Sequence, residues 1–181
     1  MKSKKVIISV MVFSLLLLFI TLGGVFADEV IETETTIQID QSQQEVLKYL
    51  NQPENWLDWM WLNQDESIVT ESTGKIQGEG AGVLWKSKTA GKGGLKLTKV
   101  EGDSAIFYEL ISDDQQFKEK GNIRLSSDGN KTDLVYQVQM DISGNIKARY
   151  ISYLKDYGKE FAFYQNEMLK QLKQKIENGQ E

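Results

Sequence analysis

The chain of 181 residues has no histidine, no cysteine and one proline. Without imidazole there is no histidine base, no relay through a serine or thiol nucleophile, and no histidine-containing metal site. Without a thiol there is no cysteine nucleophile, thiolate metal centre or disulfide. Any catalysis therefore rests on carboxylates, lysine, tyrosine or serine, and neither a metal nor a cofactor is expected. A concentrated basic balance is also missing. The net charge of -5 opposes the neutralisation of phosphates, so nucleic acid is not expected as a partner. No internal repeat or low-complexity tract is visible. What is present, 40% hydrophobic and 26% charged residues, suits an ordinary folded domain.

Residues 1–27 read as a targeting or anchoring segment. Lys2, Lys4 and Lys5 make a basic start, residues 6–20 are almost wholly apolar, and Val25-Phe26-Ala27 offers small residues at a signal-peptidase site before Asp28 and Glu29. The alternative is an uncleaved anchor, in which residues 6–26 contact the membrane. Either reading expects an extracytoplasmic location, secreted or held at the cell membrane, for a domain over residues 28–181.

That domain opens with an alternating strand over residues 30–39, with Ile31, Thr33, Thr35, Ile37 and Ile39 on one side. Asp40 or Ser42 caps a short helix in which Val46, Leu47 and Leu50 form the buried side. Pro53 suits the first turn of a second short helix bearing Trp56, Leu57, Trp59, Met60 and Trp61. Strand-type runs follow over residues 68–76, 83–88, 95–100, 105–111, 117–125 and 132–142, divided by turns rich in Gly, Asp, Asn and Ser. The last is the clearest, with Leu134, Tyr136, Val138, Met140 and Ile142 on one face. After Ser143-Gly144-Asn145, residues 145–175 show helical spacing through Ile146, Tyr150, Leu154, Tyr157, Phe161, Tyr164, Met168 and Leu172. Lys147, Lys155, Lys159, Gln165, Lys170 and Lys173 lie on the other side of one long helix. The pattern predicts an α+β fold: a curved antiparallel sheet of about seven strands around a long C-terminal helix, with two short helices after the first strand.

This order resembles the helix-grip domain of the START-like or SRPBCC superfamily, which includes polyketide cyclase/dehydrase-like proteins. The residues that carry the resemblance are Ile37-Gln38-Ile39-Asp40-Gln41-Ser42 with Val46, Pro53-Glu54-Asn55-Trp56 to Trp59, and Gly80-Ala81-Gly82-Val83-Leu84-Trp85 followed by Gly91-Lys92-Gly93. It covers essentially all of residues 28–181. It implies a cavity between sheet and C-terminal helix that holds an apolar small molecule or lipid. Function is then expected to be binding, with a cyclase- or dehydrase-like enzyme, or a surface interaction domain without a ligand, as alternatives. Pocket volume and polarity distinguish the three.

Large rings exceed what alternation requires, and Trp56, Trp59, Trp85, Tyr108, Tyr136, Tyr157, Phe161 and Tyr164 are the expected ligand-binding residues. Ordinary core packing is the competing explanation for each. Gly158, read as lying mid-helix beside Tyr157, would leave room for a ligand or for a close strand. Glu119 shares its side with Phe117, Ile123 and Leu125 and is the weak catalytic candidate, since a carboxylate turned into an apolar interior becomes a base near neutral pH. Glu109 faces inward only if Phe107 and Ile111 do; Ile106, Tyr108 and Leu110 offer the competing inner face. Lys86, Lys88, Lys92, Lys96 and Lys99 give a basic hairpin, either a solvated face or one that meets anionic headgroups.

Overall fold

The computed structural model describes residues 2–23, 29–112 and 118–179 of the chain. Helix α1 (Lys2–Gly23) carries the N-terminal apolar run, and its side chains from Val6 to Leu18 are largely exposed. Among the described residues no helix is long and apolar enough to cross a membrane, so the anchor reading of residues 6–26 gains no support from the fold. Val25-Phe26-Ala27, Asp28, the turn at Asp113-Asp114 and Phe117 lie outside the described residues.

Strand β1 (Val30–Ile39) alternates as its sequence requires, with Ile31, Thr35 and Ile39 buried. Ser42 caps helix α2 (Gln43–Leu50) by accepting from the Glu45 N–H, and Val46 and Leu50 turn inward. Pro53 opens the one-turn helix α3 (Pro53–Trp56), where its fixed φ fits and its missing N–H costs nothing. The Trp56 indole N–H donates to the Leu50 carbonyl at 2.7 Å and ties α3 to α2. A 3-10 turn (Trp61–Gln64) leaves Trp61 half exposed and leads to β2 (Val69–Ser72), shorter than the expected strand over 68–76. The strand stops at Ser72, ahead of Gly74 with its φ of 100°, and its entry is anchored by Asp65. Its carboxylate accepts from Ser67, Ser87 and Thr89, tying this connection to the hairpin ahead and holding its pKa below the usual range.

Strands β3 (Gly82–Lys86), β4 (Lys92–Glu101), β5 (Ala105–Ser112), β6 (Lys118–Asp128) and β7 (Lys131–Asp141) complete an antiparallel sheet in the order β1-β7-β6-β5-β4-β3-β2. The register places Val30 opposite Asp141 and Ile39 opposite Thr132 on β7. A register shift between Leu97 and Lys99 adds twist to β4. One face of the sheet holds the core: Val83, Trp85, Leu95, Leu97, Ile106, Tyr108, Leu110, Ile123, Leu134, Tyr136 and Val138 are all buried.

The expected single C-terminal helix is two. Helix α4 (Ile146–Leu154) ends at Lys155, whose backbone is extended, and Asp156 starts α5 (Tyr157–Asn178) by accepting from the Lys159 N–H at 3.1 Å. The cap satisfies one of the N–H groups orphaned at a helix start, which makes a restart at Asp156 favourable where continuity was expected. The buried stripe of α5 is Gln165, Met168, Leu169, Leu172 and Ile176. Gln165, expected on the polar side, is therefore inside. Tyr164, one residue and roughly 100° away around the helix, is 57% exposed. Gly158 falls in the first turn of α5, not mid-helix, and a Cβ there would meet Ile31 only at 4.0 Å.

Gly121 on β6 is a tighter case. A Cβ at this position would stand 2.5 Å from a ring carbon of Tyr108 and 2.7 Å from the Gln137 carbonyl oxygen. Gly121→Ala is expected to lose about 1–3 kcal/mol through overpacking, while Gly158→Ala leaves stability unchanged or slightly higher. Urea unfolding of the two variants side by side checks the contrast.

Candidate functional site

Alternation on β6 puts Glu119 on the same face as Ile123 and Leu125, and the fold closes that face. Glu119 is only 4% exposed. The Tyr108 hydroxyl from β5 donates to its carboxylate, and the Tyr108 and Tyr136 hydroxyls lie 2.6 Å apart. Three neighbouring strands thus supply one continuous polar chain inside an apolar interior. Two indoles roof it. Trp56 packs on Tyr108 at a tilt of 59° with centroids 4.8 Å apart, Trp59 meets Tyr136 edge-on at 6.0 Å, and the indoles are 5.2 Å from one another.

From the other side, α5 contributes Gln165. Its side-chain amide donates to the Tyr136 carbonyl at 3.1 Å, and its oxygen accepts from Thr33 on β1 at 2.7 Å. Gln165 lies four residues after Phe161 and four before Leu169, the spacing that marks it as inward despite its polarity. Among the described residues the Trp59 and Trp85 indole N–H groups are buried without an acceptor. An unmet buried donor costs roughly 1–3 kcal/mol, so each indole N–H is a donor that an acceptor would satisfy.

Burial pushes the Glu119 carboxyl from 4.5 up to about 7, with the hydrogen bonds from Tyr108 and Tyr136 pulling the other way. The same burial, followed by the nearby Glu119 charge, raises both tyrosines well above 10, so they stay protonated as donors. Near neutral pH the carboxyl exists in both forms. It can accept a proton or give one.

Of the eight expected ligand-binding residues, Trp56, Trp59, Tyr108 and Tyr136 meet in this cluster, and their rings occupy the place where a cavity was expected. Trp85 shares the same core and packs against Gly93, where a Cβ would collide with the ring. Tyr157 and Phe161 are half-buried at the other end, against Ile31, Met140 and Ile142. Tyr164 is not brought in: it packs on Phe163 at the outer surface of α5, because the restart at Asp156 sets the helix phase. Glu109 faces outward and pairs with Lys120 at 3.1 Å, leaving Ile106, Tyr108 and Leu110 inside. Open surface grooves lie elsewhere, one of about 490 Å³ beside α4 lined by Ala148, Ile151 and Tyr157.

A one-sided antiparallel sheet closed by a C-terminal helix makes this a protein of helix-grip fold. No family model matches the chain, and no curated protein matches it. Solved structures do. A protein from Thermus thermophilus aligns over 83% of this chain and 99% of its own, with a TM-score of 0.59 and 12% identity. Ara h 8.0201 aligns over 82% and 99%, at 0.58 and 12%. The Aha1 dimer from Colwellia psychrerythraea aligns over 83% and 99%, at 0.55 and 14%. At such identities the likeness is one of fold.

The raised carboxyl has a consequence for stability. Between pH 4.5 and about 7 the folded chain holds a proton that the unfolded chain releases. The contribution is therefore full below pH 4.5 and lost as pH rises through 7, amounting to about 3 kcal/mol overall. Urea unfolding from pH 4.5 to pH 8 should show this loss in the native sequence and a flatter profile in Glu119→Gln; parallel profiles would refute a buried titrating carboxyl.

Proposed function

We propose that the chain is an extracytoplasmic helix-grip domain of the START-like type that binds an apolar small molecule, a lipid among the options, carrying one oxygen function. The observation that carries this reading is a polar chain, Glu119, Tyr108 and Tyr136, kept inside an apolar interior beside the unmet Trp59 N–H. Burying a carboxyl beneath two indoles lowers stability relative to an apolar core of the same volume. A ligand hydroxyl or carbonyl would accept from Trp59 and meet the tyrosine hydroxyls, and the indoles would swing aside to admit its apolar body. Helix α2 packs on the core through Val46 and Leu50 and α3 through Trp56, with Trp59 in the turn that follows α3. The resemblance to SRPBCC domains supports binding at this place. Export or anchoring by residues 1–27 belongs to the same reading and rests on their basic start and apolar run.

One observation favours the enzyme alternative: a carboxyl with a pKa of about 7 beside two tyrosine donors has the make-up of a general acid–base. A cyclase- or dehydrase-like reaction would use Glu119 to move a proton and the tyrosines to hold a developing oxyanion.

Native mass spectrometry of the purified full-length chain, followed by organic extraction, tests the reading. A stoichiometric apolar molecule with a hydroxyl or carbonyl is the expected result. In Trp59→Phe, which removes the donor and keeps an aromatic ring, affinity for the extracted molecule should fall about tenfold, the worth of one hydrogen bond in a dry site. Extraction of a chemically altered molecule only when Glu119 is intact would favour the enzyme. An empty chain that takes up no fluorescent fatty acid would mean that the rings are simply core and that the domain serves interaction.

A further inference from the structure

The convex face of the sheet carries a feature that the interior does not account for. The register places Glu71, Leu84, Gly94 and Ile111 in one row across β2, β3, β4 and β5. Leu84 lies over Gly94, since a Cβ there would come within 2.7 Å of its methyl carbon. The missing side chain lets the apolar strip from Leu84 to Ile111 run unbroken. With Val69 in the adjoining row, three aliphatic side chains stand 68%, 47% and 43% exposed at Val69, Leu84 and Ile111. Leu84 and Ile111 border an apolar groove of about 480 Å³ whose lining also includes Lys86, Lys92, Lys96 and Glu109.

Charge identifies what covers the strip. Lys86 stands between Val69 and Lys92 in its row, and Lys96 between Gly82 and Glu109. Glu109 is already paired with Lys120, whereas Lys86 and Lys96 have no ion-pair partner among the described residues. Lys99, part of the same hairpin, is withdrawn by its pair with Glu101 at 2.5 Å. A basic, apolar patch on a chain of net charge -5 is a local reversal of sign. An anionic surface is repelled by the chain as a whole and attracted here, so it approaches in one orientation. Aliphatic tips can enter the acyl boundary while lysine stems extend along them and place ammonium groups among headgroup phosphates.

We infer that the convex face formed by Val69, Leu84, Ile111, Lys86 and Lys96 is a docking surface for an anionic lipid bilayer. It operates independently of what the interior holds. The absence of cysteine makes the test direct, because one introduced thiol is a unique label. The full-length chain carrying Leu84→Cys is labelled with an environment-sensitive nitrobenzoxadiazole dye, and a control is labelled at Asn130→Cys in the β6–β7 turn. Each is mixed with vesicles of phosphatidylglycerol or of phosphatidylcholine.

The dye at position 84 should shift to the blue on phosphatidylglycerol alone, and the dye at 130 on neither. In 1 M salt, where screening acts over about 3 Å, the shift should vanish. Adding Lys86→Gln and Lys96→Gln should weaken the titration on the order of twentyfold, since each lysine near an anionic surface contributes about a factor of five. Because position 84 reports its own surroundings, attachment of the vesicle through α1 alone leaves its dye in water, which overturns the proposal. Equal shifts on both lipids overturn the electrostatic basis. A concentration-dependent shift without vesicles assigns the face to a second copy of the chain instead.

Discussion

Everything in this molecule depends on keeping one face of a strongly alternating sheet dry. Strands β1 and β3 to β7 present an apolar surface that no strand neighbour can cover; α5 covers it at β1 with Met168, Leu169, Leu172 and Ile176, and α2 and α3 cover it elsewhere with Val46, Leu50 and Trp56. Helix α5 is fixed in place by more than apolar contact. Gln165 bonds both to the Thr33 side chain of β1 and to the Tyr136 backbone of β7. Directional bonds of this kind set the rotation and height of the helix, which apolar packing alone would leave looser. Gln165 thereby fixes where α5 sits against β1 and β7.

The polar chain at the centre shows how a sheet collects chemistry. Glu119, Tyr108 and Tyr136 come from three adjacent strands, and Gly121 opposite Tyr108 gives the tyrosine ring space to lie over the backbone. The side chains converge because successive strands run antiparallel and their inward positions fall in line. Indoles from the connection after β1 then exclude water, which raises the carboxyl and the hydroxyls together. Hydrogen bonding and desolvation oppose one another at Glu119, and desolvation wins. That balance keeps a carboxyl titrating near neutral pH without any histidine in the chain.

Much of the fold was legible in the residues. Period-two alternation placed β1 over its full length and β7 to within a residue at each end, because both have one wet and one dry face. The early end of β2 was not legible, since the left-handed turn at Gly74 cuts an alternation that runs on to Ile76; nor was the anchoring of Asp65, whose partners Ser87 and Thr89 arrive only once the chain has turned back. Nor was the helix break: Tyr153, Leu154 and Tyr157 keep helical spacing across it, and the capping role of Asp156 competes with that spacing instead of interrupting it. The inward face of Glu119 followed from alternation with Ile123 and Leu125. Its partners did not, because they depend on register between strands ten or more residues apart in sequence. Tyr164 and Gln165 exchanged sides for one reason, the phase at which α5 begins.

The break at Lys155 has a further bearing on the grip. Helix α4 has nine residues, none of them buried, and is shorter than the length at which a helix holds itself in water. Its order is borrowed from contacts made by Ala148 and from the cap at Asn145. Helix α5 is held by its core stripe and does not need α4 to stay folded. Opening at the Tyr157 and Phe161 end is therefore a local unfolding equilibrium with its own small free energy, separate from the global one. Amide hydrogen exchange along α4 would measure directly how often this single short helix melts.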